Sequence, residues 1–168
     1  FVVCSNVLGG CKGTTGPASI DPRTGMPYGS TFPTITIGDM VHAQKQLADE
    51  LGIRHFYCVI GGSMGGFQAM KWAIFYPELI DRVILIATSP GFSAQALGFE
   101  IVGRDAITQD PNYNNGDYYD KQIPAAGLAN ARKLAHITYL SAKGMEARFT
   151  RNDIRIEHPE KFYSGSSL

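Results

Sequence analysis

The pentapeptide Gly61-Gly62-Ser63-Met64-Gly65 constrains the fold of this chain more than any other segment. An apolar run at residues 56–60 precedes it and a helical run at residues 67–76 follows it. The sequence therefore predicts a sharp turn from a strand into a helix, with small residues on both sides of Ser63. Such a turn lifts a serine hydroxyl above the carboxyl edge of a sheet, which predicts that Ser63 is a nucleophile.

The chemistry of a serine nucleophile adds a role for the next residue. A hydroxyl attacks slowly until a base removes its proton and hydrogen-bond donors stabilise the resulting oxyanion. The backbone N–H of Met64 would point at that oxyanion from a helix N-terminus. The alternative is a glycine-rich connection that only packs a helix on a strand, since G-x-S-x-G by itself is a weak pattern.

Composition and charge narrow the class of protein. The chain has 168 residues, of which 44% are hydrophobic and 18% charged, which is typical of a soluble globular domain. Fifteen basic and fifteen acidic side chains give a formal net charge of zero, so we predict no nucleic-acid partner and no membrane partner. Residues 1–8 look like a strand already in progress, so we expect the true N-terminus to lie upstream.

Cysteine and histidine spacing gives no sign of a metal site. The cysteines lack C-x-x-C spacing, and we expect Cys4 and Cys58 to pack as small hydrophobic side chains. A reduced state of this kind favours a cytoplasmic location. The four histidines have no metal-binding spacing, so we predict no metal: His42, His55, His136 and His158.

The order of segments predicts an α/β fold with a partial parallel sheet, crossover helices and a helical lid insertion. Asp39 is the predicted cap of the first helix. The core segment covers residues 1–90, a helical lid segment covers 91–150, and a tail of uncertain structure covers 151–168. Predicted strands lie at residues 1–8, 56–60 and 82–87, and predicted lid helices at 94–107 and 125–147, with a turn at 110–116.

One face of the long predicted lid helix carries three side chains with polar groups. Arg132 and Tyr139 are seven residues apart and His136 lies between them, so all three share a side. Arginine and tyrosine can present a bidentate donor and a hydroxyl to a carboxylate. The alternative is an arginine that reaches solvent and a tyrosine that belongs to the core.

Four separate blocks resemble the homoserine O-acetyltransferases of the α/β-hydrolase superfamily, and the match runs from Phe1 to about Arg151. The blocks are residues 6–17, 32–41, 61–66 and 131–141. The resemblance implies transfer of an acetyl group from acetyl-CoA to the hydroxyl of L-homoserine in methionine biosynthesis, through an acyl-serine intermediate. It implies no bound cofactor, and a homodimer is possible.

The resemblance also assigns roles to single residues. It implies that Ser63 is the nucleophile, that Met64 supplies an oxyanion N–H, and that Arg132 and Tyr139 contact the amino-acid substrate. In the superfamily an Asp or Glu and then a His follow the serine on later loops. We expect both partners beyond this chain, which would make it a central fragment.

Alternatives remain for the base and for the activity. Asp153 and His158 are five residues apart in an extended run, which places their side chains on opposite faces, and His136 fits a lid helix better than a base. The same fold also serves succinyl transfer, serine acylation and ester hydrolysis. A catalytically inert fragment is the alternative from a different class.

Overall fold

The structure is a computed structural model that describes residues 1–149. Asp153, His158 and the tail at residues 151–168 lie outside the described residues. The chain forms two compact units, Phe1–Phe92 and a second that begins at Ser93. The roles predicted for these two segments, a core and a lid, stay predictions.

A parallel pair of strands forms the centre of the first unit. Strand β1, Val59–Gly62, pairs with strand β2, Val83–Ile86, from Val59 opposite Val83 to Gly62 opposite Ile86. Helix α2, Met64–Phe75, connects them, so the predicted series of strand, turn, helix and strand is confirmed. Its bounds differ, because β1 begins and ends later than the predicted strand at 56–60 and α2 begins before residue 67. A parallel connection of this kind requires a crossover, and α2 provides it.

The predicted strand at residues 1–8 is wrong for the part of the chain that the structure describes. Those residues have no regular secondary structure, and the sheet there contains β1 and β2 alone. The apolar, β-branched pattern was a correct sign of strand propensity. A strand also requires a hydrogen-bonded neighbour, however, and no described residue supplies one.

Helix α1, Ile37–Glu50, begins earlier than the sequence predicted because Thr36, and not Asp39, is its N-cap. The Thr36 hydroxyl oxygen accepts from the Asp39 N–H at 3.2 Å. The Asp39 carboxylate in turn accepts from the Thr36 N–H at 2.8 Å. This reciprocal capping box places Asp39 three residues inside the helix, where its charge also suits the positive helix end.

Helices α1 and α2 carry the best-buried hydrophobic side chains of the first unit. Val41 and Ala48 of α1 and Ala69 and Trp72 of α2 are all at most 5% exposed. Spacings of seven and three residues place each pair on one helix face. Burial of these faces stabilises α2, and therefore the turn that precedes it.

A chain of side-chain hydrogen bonds crosses the same contact. The Trp72 Nε1–H donates to Gln44 Oε1 at 2.7 Å, and Gln44 Nε2 donates to Gln68 Oε1 at 2.6 Å. Gln68 is only 5% exposed, so these bonds offset the cost of burying its amide. The network therefore fixes the relative position of the two helices.

The second unit is helical in its described part. It contains α3, Ala94–Thr108, a 3₁₀ segment, Pro111–Gly116, α4, Ala125–Tyr139, and α5, Ala142–Arg148. The single helix predicted at residues 125–147 is wrong, because Leu140 is extended and Ser141 caps a new helix. The Ser141 hydroxyl accepts from the Gly144 N–H at 3.0 Å. None of the helices within residues 1–149 is long and apolar enough to cross a membrane.

The contact between α3 and α4 depends on Gly127 and Asp110. A Cβ at Gly127 would lie 2.9 Å from the Ile107 Cα, so only glycine permits this approach of the two helices. The Asp110 carboxylate accepts from the Gly127 N–H at 2.7 Å and from the Asn112 N–H at 2.9 Å. One buried side chain thus joins the end of α3 to the start of α4.

Acid should weaken the second unit through Asp110. The hydrogen bonds from the Gly127 and Asn112 N–H groups lower the pKa of this carboxyl below 3.8, against the opposing effect of burial. The resulting stabilisation is complete above pH 3.8 and disappears as the pH falls through the lowered pKa. We expect Asp110→Asn to lower the thermal midpoint at neutral pH and to reduce its loss below pH 3.8.

Calorimetry between pH 2 and pH 7 on the wild type and the variant measures this effect. The matched control is Asp105→Asn, because Asp105 is exposed and lies in α3, five residues before Asp110. Its pH profile should match that of the wild type. An Asp110→Asn profile parallel to the wild-type profile would contradict the role of the carboxylate.

Candidate active site

Ser63 has a strained backbone at the junction of β1 and α2. Its φ of 52° and ψ of −120° lie in a region that non-glycine residues rarely adopt. The Ser63 N–H donates to the Ile86 carbonyl oxygen at 2.9 Å, so the strand ladder continues into the turn. The side chain makes no capping hydrogen bond and the residue is exposed, which leaves the hydroxyl accessible. This is the geometry of a serine presented for attack.

Glycine is required at two positions around the turn. A Cβ at Gly61 would overlap the carbonyl group of Gly65, which is backbone and cannot move aside. A Cβ at Gly66 would lie 2.6 Å from the Thr88 Cβ, which is closer than Cβ atoms approach other heavy atoms in real proteins. The predicted need for small residues is therefore a need for room between the turn, its helix and the segment that follows β2.

The N-terminus of α2 offers hydrogen-bond donors. The Gly66 N–H donates to the Ser63 carbonyl oxygen at 2.9 Å, whereas within residues 1–149 the N–H groups of Met64 and Gly65 have no acceptor. Two unpaired donors at the positive end of a helix can bind an anion. An oxyanion formed beside Ser63 would find such donors one and two residues away.

The histidines of the first unit are not placed to activate Ser63. His55 Nε2 lies 2.9 Å from Asp81 Oδ1, at the amino ends of the strands, whereas Ser63 follows the carboxyl end of β1. His42 stacks on Phe75, the last residue of α2, at a centroid distance of 5.0 Å. Neither imidazole is near the start of α2, so neither histidine of residues 1–92 lies beside the Ser63 hydroxyl.

The predicted substrate residues lie on α4 of the second unit. The three polar side chains predicted to share one face of this helix are all exposed: Arg132, His136 and Tyr139. Tyr139 is 80% exposed. Arg132 forms no hydrogen bond or ion pair within residues 1–149, so its guanidinium is available for a ligand. Seven residues of helix separate Arg132 from Tyr139 by about 10 Å along the axis.

Metal ligation finds no support in the described residues. No group of three or more His, Cys, Asp or Glu side chains that could hold an ion occurs within residues 1–149. The cysteines are free, and Cys58 is partly buried. Cys4 is exposed, so the prediction that it packs as a hydrophobic side chain is wrong here, because residues 1–8 join no sheet.

A family comparison decides the fold class. The family model described as the alpha/beta hydrolase fold matches residues 1–168. The chain belongs to the α/β-hydrolase family. The predicted fold class is thereby confirmed. The strained turn at Ser63, called the elbow below, has the geometry of a nucleophile elbow.

Relatives of this α/β-hydrolase chain carry homoserine acyltransferase names. A homoserine O-acetyltransferase from Methanococcoides burtonii is 53% identical over 162 residues, which cover 96% of this chain and 33% of the relative. A homoserine O-succinyltransferase from Halorhodospira halophila is 58% identical over 153 residues, covering 90% of this chain and 40% of the relative. The chain thus spans about a third of the length of the first relative, and the predicted resemblance to homoserine O-acetyltransferases is confirmed.

A solved structure supports the same relationship. The crystal structure of homoserine O-acetyltransferase from Bacillus anthracis matches with a TM-score of 0.77 and 33% identity. The match covers 92% of this chain and 41% of that one. Both the fold and the sequence similarity therefore extend over most of this chain.

Proposed function

We propose that this chain carries the nucleophile of an O-acyltransferase that moves an acetyl group from acetyl-CoA to the hydroxyl of L-homoserine, a step of methionine biosynthesis. The observation that carries the proposal is the strained, exposed Ser63 at the start of α2. The name of the Methanococcoides burtonii relative supports the substrate and the acyl group. The free cysteines fit the reducing cytoplasm that the sequence predicts.

The proposed reaction has two half-reactions. The Ser63 Oγ attacks the thioester carbonyl of acetyl-CoA, the C–S bond breaks, and CoA leaves as a thiol with the proton that the serine lost. The homoserine hydroxyl then attacks the acetyl-serine ester, and its proton returns to Ser63. The Met64 N–H stabilises the oxyanion in both steps. The family pattern implies that a His with an Asp or Glu partner moves these protons.

We assign the acceptor to α4 by resemblance. The Arg132 guanidinium would bind the homoserine carboxylate with two parallel hydrogen bonds, and the Tyr139 hydroxyl would contact the same substrate. Their exposure and the absence of a partner for Arg132 within residues 1–149 support this role. Acetyl-CoA is a co-substrate and not a bound cofactor, and a homodimer is part of the proposal.

A succinyl donor is the second candidate. The Halorhodospira halophila relative, named a homoserine O-succinyltransferase, is as similar to this chain as the acetyltransferase relatives. The two donors share the chemistry at Ser63 and differ only in the acyl tail. Serine as acceptor and plain hydrolysis use the same nucleophile as well.

A donor and acceptor matrix tests the proposed function. Full-length protein is mixed with acetyl-CoA or succinyl-CoA and with homoserine, serine or no acceptor, while free CoA and the acyl amino acid are measured. We expect O-acetylhomoserine as the main product. Serine is one methylene shorter, so its kcat/KM should be roughly 10- to 200-fold lower.

Every different result of this assay identifies one of the alternative activities. CoA release at the same rate without an acceptor would indicate a hydrolase, and faster turnover of succinyl-CoA would indicate the succinyl enzyme. Equal use of serine would remove homoserine as the specific acceptor. Any of these results would contradict the proposed function while leaving Ser63 as a nucleophile.

A further inference from the structure

Two strained turns face each other at the carboxyl edge of the strand pair. Ser63 follows β1 with a φ of 52°, and Ala87 follows β2 with a φ of 48°. The register pairs Gly62 with Ile86, so these two residues come next on each strand. Non-glycine residues at such angles persist only where the surrounding structure holds them. The turn after β2 therefore belongs to the same strained assembly as the elbow.

Thr88 brings the second turn into contact with the elbow helix. The position of a missing Cβ at Gly66 lies 2.6 Å from the Thr88 Cβ and 2.8 Å from its Oγ1. Gly66 is buried and is the third residue of α2, directly after the two residues with unpaired N–H groups. The Thr88 side chain thus occupies the space that Gly66 leaves free, and it sets how close the start of α2 approaches β2.

The Thr88 hydroxyl makes no compensating hydrogen bond. Within residues 1–149, Thr88 Oγ1 is buried and has no partner. A buried hydroxyl without a partner lowers stability, so its hydrogen bonding is not what keeps threonine here. The contribution of this side chain to the contact is its branched shape.

We propose that Thr88 is a positioning residue for Ser63: its branched side chain packs against Gly66 and holds the start of α2 where the hydroxyl and the Met64 N–H can act together. The proposal rests on the proposed role of Ser63 as nucleophile. It does not depend on the identity of the acyl donor or acceptor. A displacement of about 1 Å at such a site can cost roughly 10²-fold in rate.

Labelling of Ser63 by a fluorophosphonate probe tests the proposal in the full-length protein, and it requires neither acetyl-CoA nor homoserine. The Ser63 Oγ forms a P–O bond to the probe, fluoride leaves, and intact mass gives the rate. We expect Gly66→Ala to slow labelling by roughly 10²-fold, because its Cβ would overlap Thr88. Thr88→Gly should also slow labelling. Thr88→Val keeps the branched shape and removes the unpaired hydroxyl, so it should be labelled at the wild-type rate and have an equal or higher thermal midpoint.

The decisive variant is the double substitution Gly66→Ala with Thr88→Gly. Thr88→Gly removes the atoms that the new Cβ would meet, so the pair should label at least tenfold faster than Gly66→Ala alone. A double variant no better than Gly66→Ala would overturn the proposal. Slow labelling of Thr88→Val at an unchanged thermal midpoint would also overturn it, because the hydroxyl would then be the active group.

Two controls separate the possible failures. Gly98→Ala changes a helical glycine that has open space around it, so its labelling should match the wild type and its thermal midpoint should be equal or higher. If circular dichroism shows that Gly66→Ala does not fold, the comparison of Thr88→Gly with Thr88→Val is the test. Normal labelling of the wild type without transfer to homoserine would contradict the proposed acceptor and leave the Thr88 proposal intact.

Discussion

Replacing Ser63 with alanine should abolish formation of the acyl-enzyme and lower acyl transfer by about 10⁴- to 10⁶-fold, as removal of a serine nucleophile does in other enzymes. The elbow presents this hydroxyl on a strained turn beside unpaired N–H groups. Alanine keeps the backbone and removes only the attacking oxygen. Because Ser63 makes no side-chain cap to α2, the thermal midpoint should change little.

Intact-mass analysis after mixing with acetyl-CoA measures this result, since an acetyl group adds a defined mass to the protein. The matched control is Ser89→Ala, an exposed serine just beyond β2 whose hydroxyl donates to the Gly91 carbonyl oxygen at 2.5 Å. This control should acylate normally. An acetyl group that still appeared on Ser63→Ala would show that another residue is the nucleophile.

Replacing Arg132 should have the second-largest effect, and it should affect only the half-reaction with the acceptor homoserine. Removing one partner of a hydrogen-bonded charge pair costs roughly 2 to 5 kcal/mol, so Arg132→Ala should lower kcat/KM for homoserine by about 30- to several thousand-fold. Arg132→Lys should recover little, because an ammonium lacks the planar fork that binds a carboxylate at two points. Acylation of Ser63 by acetyl-CoA should stay near the wild-type rate.

Single-turnover acylation and steady-state transfer, measured on the same variants, separate the two half-reactions. Arg104→Ala is the matched control, since Arg104 is also exposed and lies on α3. Its acceptor kinetics should match the wild type. If acylation by acetyl-CoA fell as far as transfer in Arg132→Ala, the arginine would support the fold or the CoA site instead of the homoserine carboxylate.

Local chemistry explains which elements could be predicted. The elbow followed from its glycines and from apolar runs on both sides, because the steric limits of the turn act within five residues. Helix α3 was predicted to within one residue at its C-terminus. The first residue of α1 was missed, because Thr36 and Asp39 both suit a capping position and only their reciprocal hydrogen bonds show which is the cap.

Two predictions that rested on residue propensity alone failed. Residues 1–8 have strand propensity but no strand beside them in the described chain, and Cys4 is exposed for the same reason. The helix predicted at 125–147 consists mostly of good helix-forming residues such as Ala, Leu and Lys. The helix breaks at Leu140 because the Ser141 hydroxyl caps a second helix. Helix propensity alone does not predict whether this serine caps a new helix or continues the first one.

The sequence by itself determined the sharp turn at Ser63, the strand–helix–strand series and the resemblance to homoserine O-acetyltransferases, because each is read from short segments of neighbouring residues. Only the tertiary structure decided the contact of Thr88 with Gly66, which joins residues 22 positions apart. It also decided the burial of Gln68 against α1 and the link from Asp110 to Gly127. The physical reason is that close packing and hydrogen bonding act on neighbours in space, and a one-dimensional pattern does not contain those neighbours.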